Sequence, residues 1–270
     1  VFSRRAIIIF AHTASTEAVS KPLSIASKAT EDVYGALLRH SIATMQATSQ
    51  FLGCDCLLAT DTLNTRTTDS DIPTFVQRGD TFGERLRNAV QDALQHGYTE
   101  IVVMGADAPD VSAATLEHAF ERLASNSVVL GPAHDGGVYL IGLRLSETFF
   151  SSSVDALFAG VAWQTANVFN NLITNARTNN SLVFTLSPLC DIDSYNDLCG
   201  WLASSQTNLH HAAADKRNHV SLLSILSRRL RQILRRAFAS VSVRLPSTSK
   251  PAVQAASRLR LQFQKAPPVW

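Results

Sequence analysis

Cysteine is scarce in this 270-residue chain, and so are methionine, tryptophan and charge. The four cysteines, Cys54, Cys56, Cys190 and Cys199, show no Cys-x-x-Cys spacing and have no histidine cluster beside them. That pattern argues against a zinc site, and against a disulfide framework in a chain this long. No stretch approaches the roughly 18 consecutive apolar residues of a membrane span. The first residues also lack the charged-then-apolar order of a secretory signal. A cytoplasmic protein without a transmembrane segment is therefore expected. Charged residues make up 17% of the chain against 46% hydrophobic, which excludes a disordered polypeptide and leaves enough apolar content for a sizeable core.

The formal net charge of +2 conceals a split. Residues 215–270 hold twelve Lys or Arg against one Asp, a net +11, which leaves −9 for the first 214 residues. An acidic body followed by a basic tail reads as two objects in one chain. The expected organisation is an α/β domain over residues 1–205, a linker over 206–217, a basic amphipathic helix over 218–241 and a flexible tail over 242–270. The helix is read from Leu223, Leu226, Leu230 and Ile233 on one face and Arg228, Arg229, Arg231, Arg235 and Arg236 around the rest. The flexible tail is read from Pro246, Pro251, Pro267 and Pro268. The basic helix would pack on the acidic body or meet an anionic membrane surface, an acidic protein or RNA.

Within the body, strand and helix patterns alternate. Arg5 to Ala11 reads as a buried first strand, and His12 to Lys28 as polar and irregular. Thr30 to Phe51 has the spacing of an amphipathic helix through Val33, Leu37, Leu38, Ile42 and Met45. Cys54 to Ala59 and Thr74 to Gln77 read as strands, and Phe82 to His96 as a helix ended by Gly97. Ile101 to Met104, Ser127 to Leu130 and Val138 to Gly142 read as further strands, with a helix between the first two. Trp163 to Ala176 is expected as a helix, Leu182 to Leu186 as a strand, and Ser194 to Ser204 as a helix capped by Asp193 or Ser194. Such alternation predicts a mainly parallel sheet with helices on both faces, and the tight connection before Val138 predicts one antiparallel strand.

Chemistry gathers around Ile101 to Gly142. Asp107 and Asp135 follow apolar strands, and in open α/β sheets ligands collect outside the carboxyl ends of the strands. Carboxylates there would repel a nucleotide's phosphates unless a hard cation such as Mg²⁺ bridged the two. Turn formation explains the same residues without any ligand, since Pro109 restricts Ala108 to extended geometry. Gly136 and Gly137 allow close backbone approach to a ligand. In Asp191-Ile192-Asp193 the two side chains of an extended segment would point the same way, about 7 Å apart, and could share a cation; equally, Asp193 could cap the next helix. Gln77 to Arg85 sets Arg78, Gly79, Gly83 and Arg85 at a helix start that could face an anion, or that is a capped entrance built on Thr81 and Glu84.

Gly105-Ala106-Asp107-Ala108-Pro109-Asp110, Leu130 to Gly142 with its Asp135-Gly136-Gly137, Trp163, and Asp191-Ile192-Asp193 with Asp197 together resemble a GT-A glycosyltransferase-like family of the nucleotide-diphospho-sugar transferase superfamily. That family is similar to 2-phospholactate guanylyltransferase and to the molybdenum cofactor nucleotidyltransferases. The resemblance runs over roughly residues 5–202. It implies a GT-A (Rossmann-like) fold and a transferase acting on a nucleotide or nucleotide sugar, either a glycosyltransferase or a nucleotidyltransferase, with Mg²⁺ or Mn²⁺ as cofactor. Carried over by position, it implies metal ligation by Asp107 and Asp193 and nucleotide contacts from Arg78, Gly79, Gly83, Arg85, Gly136 and Gly137. Asp135 is the expected general base, and Lys21 the expected cation offsetting phosphate charge. The loop after the first strand departs from the family pattern. Where the family has a glycine this chain has Glu17, and Ser20 and Pro22 replace two cations. A second function class follows, a GT-A domain kept as a binding or scaffold module. A cavity in which Glu17 projects beside Asp107 would favour the module, and an electropositive one the enzyme.

Overall fold

The computed structural model describes residues 4–62, 72–145 and 151–202. The expected linker, basic helix and tail over 206–270 lie outside the described residues. Seven strands form one sheet: β1 (Arg5–Phe10), β2 (Asp55–Thr60), β3 (Thr74–Val76), β4 (Glu100–Met104), β5 (Val128–Pro132), β6 (Val138–Arg144) and β7 (Val183–Thr185). Their spatial order is β3-β2-β1-β4-β6-β5-β7. All neighbouring pairs are parallel except those made by β6, which runs against both β4 and β5. The fold is thus a mixed, mainly parallel GT-A-like sheet, and the expected antiparallel strand is β6.

The continuous apolar runs of β1 and β4 have a physical cause, because each lies inside the sheet with both faces covered. Ala6 to Ile9 and Ile101 and Val102 are fully buried. One face packs against α3 (Phe82–Gln95), α5 (Ser151–Phe158) and α6 (Val168–Thr178), through Leu86, Val90, Val154, Leu157 and Leu172. The other packs against α2 (Ser27–Leu52) and α4 (Ala113–Leu123), through Leu38, Ile42, Met45, Leu116 and Phe120. Helix α2 stops at Gly53, whose φ of 63° is the left-handed geometry that glycine adopts without penalty. Among the described residues no helix is long and apolar enough to cross a membrane.

Two local expectations change and one open alternative is resolved. The stretch after β1 is not irregular, because Ala14–Ser20 forms α1. Its first turn is fastened from outside: Asp61 accepts from the Thr13 backbone N–H at 2.7 Å and from the Thr16 hydroxyl at 2.5 Å. The helix expected from Trp163 begins only at Val168, and Trp163 itself lies in the preceding loop, packed over Gly83. Residues 195–202 are helical, and the cap is Ser194, which exchanges hydrogen bonds with Asp197 and leaves Asp193 free of that duty.

Phe120 carries the α4 side of the core at 2% exposure, with the Arg5 guanidinium 5.5 Å over its ring. Phe120→Ala should lower the unfolding free energy by about 3–5 kcal/mol, read as a shifted midpoint in chemical denaturation.

Candidate functional site

The carboxyl ends of β1, β4, β5 and β7 open onto one cavity of about 600 Å³, a volume in the range of small-molecule sites. His12 enters from the end of β1, Glu17 from α1 and Lys21 from the residue just after it, Asp107 from beyond β4, Asp135 and Gly137 from the β5–β6 turn, and Asp191 and Asp193 from beyond β7. Among the catalytic and metal-ligating residues expected from sequence, Lys21, Asp107, Asp135 and Asp193 all line it.

Lys21 sits at the hub. Its Nζ is 2.6 Å from Asp193, 2.7 Å from Asp107 and 3.2 Å from Glu17. An ammonium has three N–H groups, and three carboxylates take them. Burial alone would lower the Lys21 pKa, but Asp107, Asp193 and Glu17 override it and hold the ammonium well above its ordinary range. The place between Asp107 and Asp193, where a shared metal was expected, is therefore taken by the lysine. The backbone is held to match: the Ile192 N–H donates to the Asp107 carbonyl at 2.9 Å, and the Tyr34 hydroxyl to the Lys21 carbonyl at 3.0 Å.

A second acidic grouping stands beside this hub. Asp135, Asp191 and Asp193 each offer a carboxylate oxygen, all within 4.8 Å of one another. Asp135 is steadied by the Gly137 N–H, which donates to its Oδ1 at 2.8 Å. Burial, with the charges of Asp193, Asp135 and Asp107 around it, pushes the Asp191 carboxyl up to about 7. Sequence reasoning treated Asp191 as the weaker half of its pair. The structure instead buries it beside the other two carboxylates of the cluster.

Glu17 does project into the cavity, and both its oxygens are engaged. Oε1 pairs with Lys21, and Oε2 lies 3.1 Å from His12 Nδ1. Burial alone would favour the neutral acid, but His12 and Lys21 hold the carboxyl below its ordinary range. Part of the lining is aromatic. Phe10 and Phe82 meet edge to face at 5.5 Å, and Phe82 lies 5.5 Å from Trp163.

Several expected nucleotide contacts fall elsewhere. Arg78 pairs with Asp92 at 2.5 Å, and Thr81 with Glu84 forms the capping box of α3; Arg78, Gly79, Gly83 and Arg85 do not line the cavity. The glycines have packing reasons instead. A Cβ on Gly83 would lie 2.4 Å from Trp163, and one on Gly136, where φ is 94°, would lie 2.2 Å from the Ala166 carbonyl oxygen. Gly137 alone of these glycines reaches the lining. Sequence reasoning missed His12, Tyr34 and Phe82 as cavity residues. The spacing of Glu17 and Lys21, one helical turn apart, was the available signal for a built arrangement in that loop.

The stress on Asp191 sets a pH dependence. Its folded pKa lies above the unfolded value of 3.8, so the folded state binds the extra proton and this group's contribution falls as pH rises from about 4 to about 7. Asp191→Asn should remove that loss, so that the variant melts higher than the parent at pH 7.5 and the difference shrinks towards pH 4. Thermal melts across that window check it.

In sequence, no curated protein matches the chain. In structure, it is similar to a protein from Desulfovibrio desulfuricans G20 provisionally named a nucleotide-diphospho-sugar transferase, with a TM-score of 0.70 at 22% identity over 88% of this chain and 99% of that one. It is also similar to 4-diphosphocytidyl-2C-methyl-D-erythritol synthase from Anaerococcus prevotii DSM 20548, with a TM-score of 0.51 at 10% identity over 76% of this chain and 96% of that one. At these identities the likeness is one of fold. Residues 37–165, which carry Asp107 and the Asp135 loop, match the model of a family described as uncharacterized protein conserved in bacteria (DUF2064).

Proposed function

We propose that the chain is a divalent-metal-dependent transferase that takes a nucleotide sugar or nucleoside triphosphate as donor. The observation that carries this reading is the gathering of Asp135, Asp191 and Asp193 within 4.8 Å at the strand ends, beside a cavity large enough for a nucleotide. The donor set fits Mg²⁺ or Mn²⁺, because every ligand atom is a hard carboxylate oxygen. The raised pKa of Asp191 is consistent with the fit, since burial first and the charges of Asp193, Asp135 and Asp107 second disfavour its ionised form, and a bound cation would offset both. When bound, the cation would supply charge neutralisation and polarisation of the donor phosphates.

The residues of the chain divide the remaining work. Lys21 holds Asp107 and Asp193 in register and keeps a positive charge in the cavity. Gly137 lets the backbone come close to a ligand, and its N–H fixes Asp135. Phe10, Phe82 and Trp163 offer an apolar wall against which a base or sugar ring can lie. In this reading Asp135, expected as a general base, serves as a ligand of the cation.

One observation favours the second reading, a binding module without turnover. Glu17 brings an acid into the cavity wall where the related family has glycine, and it occupies one of the three N–H groups of Lys21. The two readings share binding and differ in turnover.

Calorimetric titration of nucleoside triphosphates and nucleotide sugars should show binding with Mn²⁺ or Mg²⁺ and none in excess chelator. Asp193→Asn should weaken it about ten- to a hundredfold, the range for disturbing a metal's ligand environment. Equal affinity with and without chelator would sink the metal-dependent reading. Binding without release of nucleotide or pyrophosphate across a panel of acceptors would leave the binding module.

A further inference from the structure

Glu17, which stands where the related family carries a glycine, meets His12 in space. His12 Nδ1 is 3.1 Å from Glu17 Oε2, and Glu17 Oε1 is 3.2 Å from Lys21 Nζ. Glu17 is ionised, and an ionised carboxylate only accepts hydrogen bonds. The proton between the two residues therefore belongs to Nδ1. A neutral imidazole with its proton on Nδ1 has a basic Nε2. His12 lines the cavity, and among the described residues its Nε2 has no hydrogen-bond partner. The other basic positions are taken: Asp107 and Asp193 are on Lys21, and Asp135 and Asp191 belong to the acidic cluster.

We infer that His12 is the general base of this site and that Glu17 is its positioning residue, which sets the tautomer and the ring orientation. The inference rests on the transferase reading above and names the group that activates the acceptor. In the step it serves, the acceptor O–H bond breaks and its proton passes to Nε2. The acceptor oxygen forms the bond to the transferred group, and the bond from that group to the leaving phosphate oxygen breaks with its electron pair. The acceptor is thus a hydroxyl compound, with water as the default. Glu17 then counts for catalysis, because its ionised form also stabilises the imidazolium that results. The groups facing His12 are Glu17 from α1 and, through it, Lys21; Asp61 at the end of β2 is occupied by Thr13 and Thr16.

The test uses the full chain with Mn²⁺ and, as probes, the four nucleoside triphosphates and UDP-glucose. Nitrogen-15 spectra of the neutral ring should show the proton on Nδ1 in the parent and a return towards the Nε2–H form in Glu17→Gln. Diethyl pyrocarbonate should modify His12 in the free protein, and a bound probe should protect it, read peptide by peptide by mass spectrometry. Probe hydrolysis should fall by about a hundredfold or more in His12→Gln, with probe affinity held within about threefold of the parent. An Nε2–H ring in the parent, equal modification with and without bound probe, or hydrolysis by His12→Gln at the parent rate would each overturn the assignment. If no probe binds, the transferase reading itself fails and the base goes with it. A bound probe that leaves His12 unshielded removes only the base.

Discussion

Lys21 is the counter-charge on which the cavity depends. Asp107, Asp193 and Glu17 come from three separate segments, and without a cation between them their repulsion at such short range would drive the segments apart. The ammonium fastens α1 to the end of β4 and to the chain beyond β7, so one side chain closes the site across residues far apart in sequence. The pairing is held in a partly desolvated cavity, where removing one partner of a charge group costs more than the group contributes when complete. That is why Ser20 and Pro22 can stand in the place of two cations without dispersing the acidic residues. The single remaining lysine is fully engaged.

The reversal of β6 explains why the acidic cluster forms where it does. β5 ends and β6 begins at the same rim of the sheet, so the Asp135-Gly136-Gly137 turn is delivered to the carboxyl ends of the parallel strands. Gly136 sits directly on Ala166, and its carbonyl accepts from the Phe169 N–H at 3.0 Å. The turn is therefore braced against the loop that carries Trp163. The acidic side and the aromatic wall of the cavity share one support.

What the sequence could tell follows from whether the determining contacts are local. β1, β4 and β6 were legible because buried strands must be apolar along their whole length, and α2, α3 and α4 because one face of each is buried. Helix α1 was not, since it has no buried residue and its first turn is held by Asp61, 48 residues away. Trp163 and Val168 have a spacing that reads as helical, yet Trp163 is drawn out of any helix by the space over Gly83. For Asp193 the local sequence was undecided, because Asp193 and Ser194 can both cap. The tie was broken by Asp197 accepting from Ser194 and by Lys21 taking Asp193. Strand-end position gave Asp107 and Asp135 directly, while the His12 to Glu17 contact required knowing that α1 is a helix.

Asp193 is the residue on which the two halves of the site make competing demands. Its carboxylate lies 2.6 Å from Lys21, and it also belongs to the group within reach of Asp135 and Asp191. A carboxylate that gives its charge to a divalent ion attracts an ammonium less strongly, so occupancy of the acidic cluster and a tight Lys21 to Asp193 pair oppose each other. Whatever loosens that pair frees an N–H of Lys21 beside the place where a donor's phosphates would lie. On the transferase reading proposed above, the arrangement would give a physical reason for cation and phosphate to bind together rather than singly: the first would relax the contact that the second has to replace. Glu17 limits how far this goes, because it keeps its own hold on Lys21 and so keeps the ammonium in the cavity when Asp193 is drawn away.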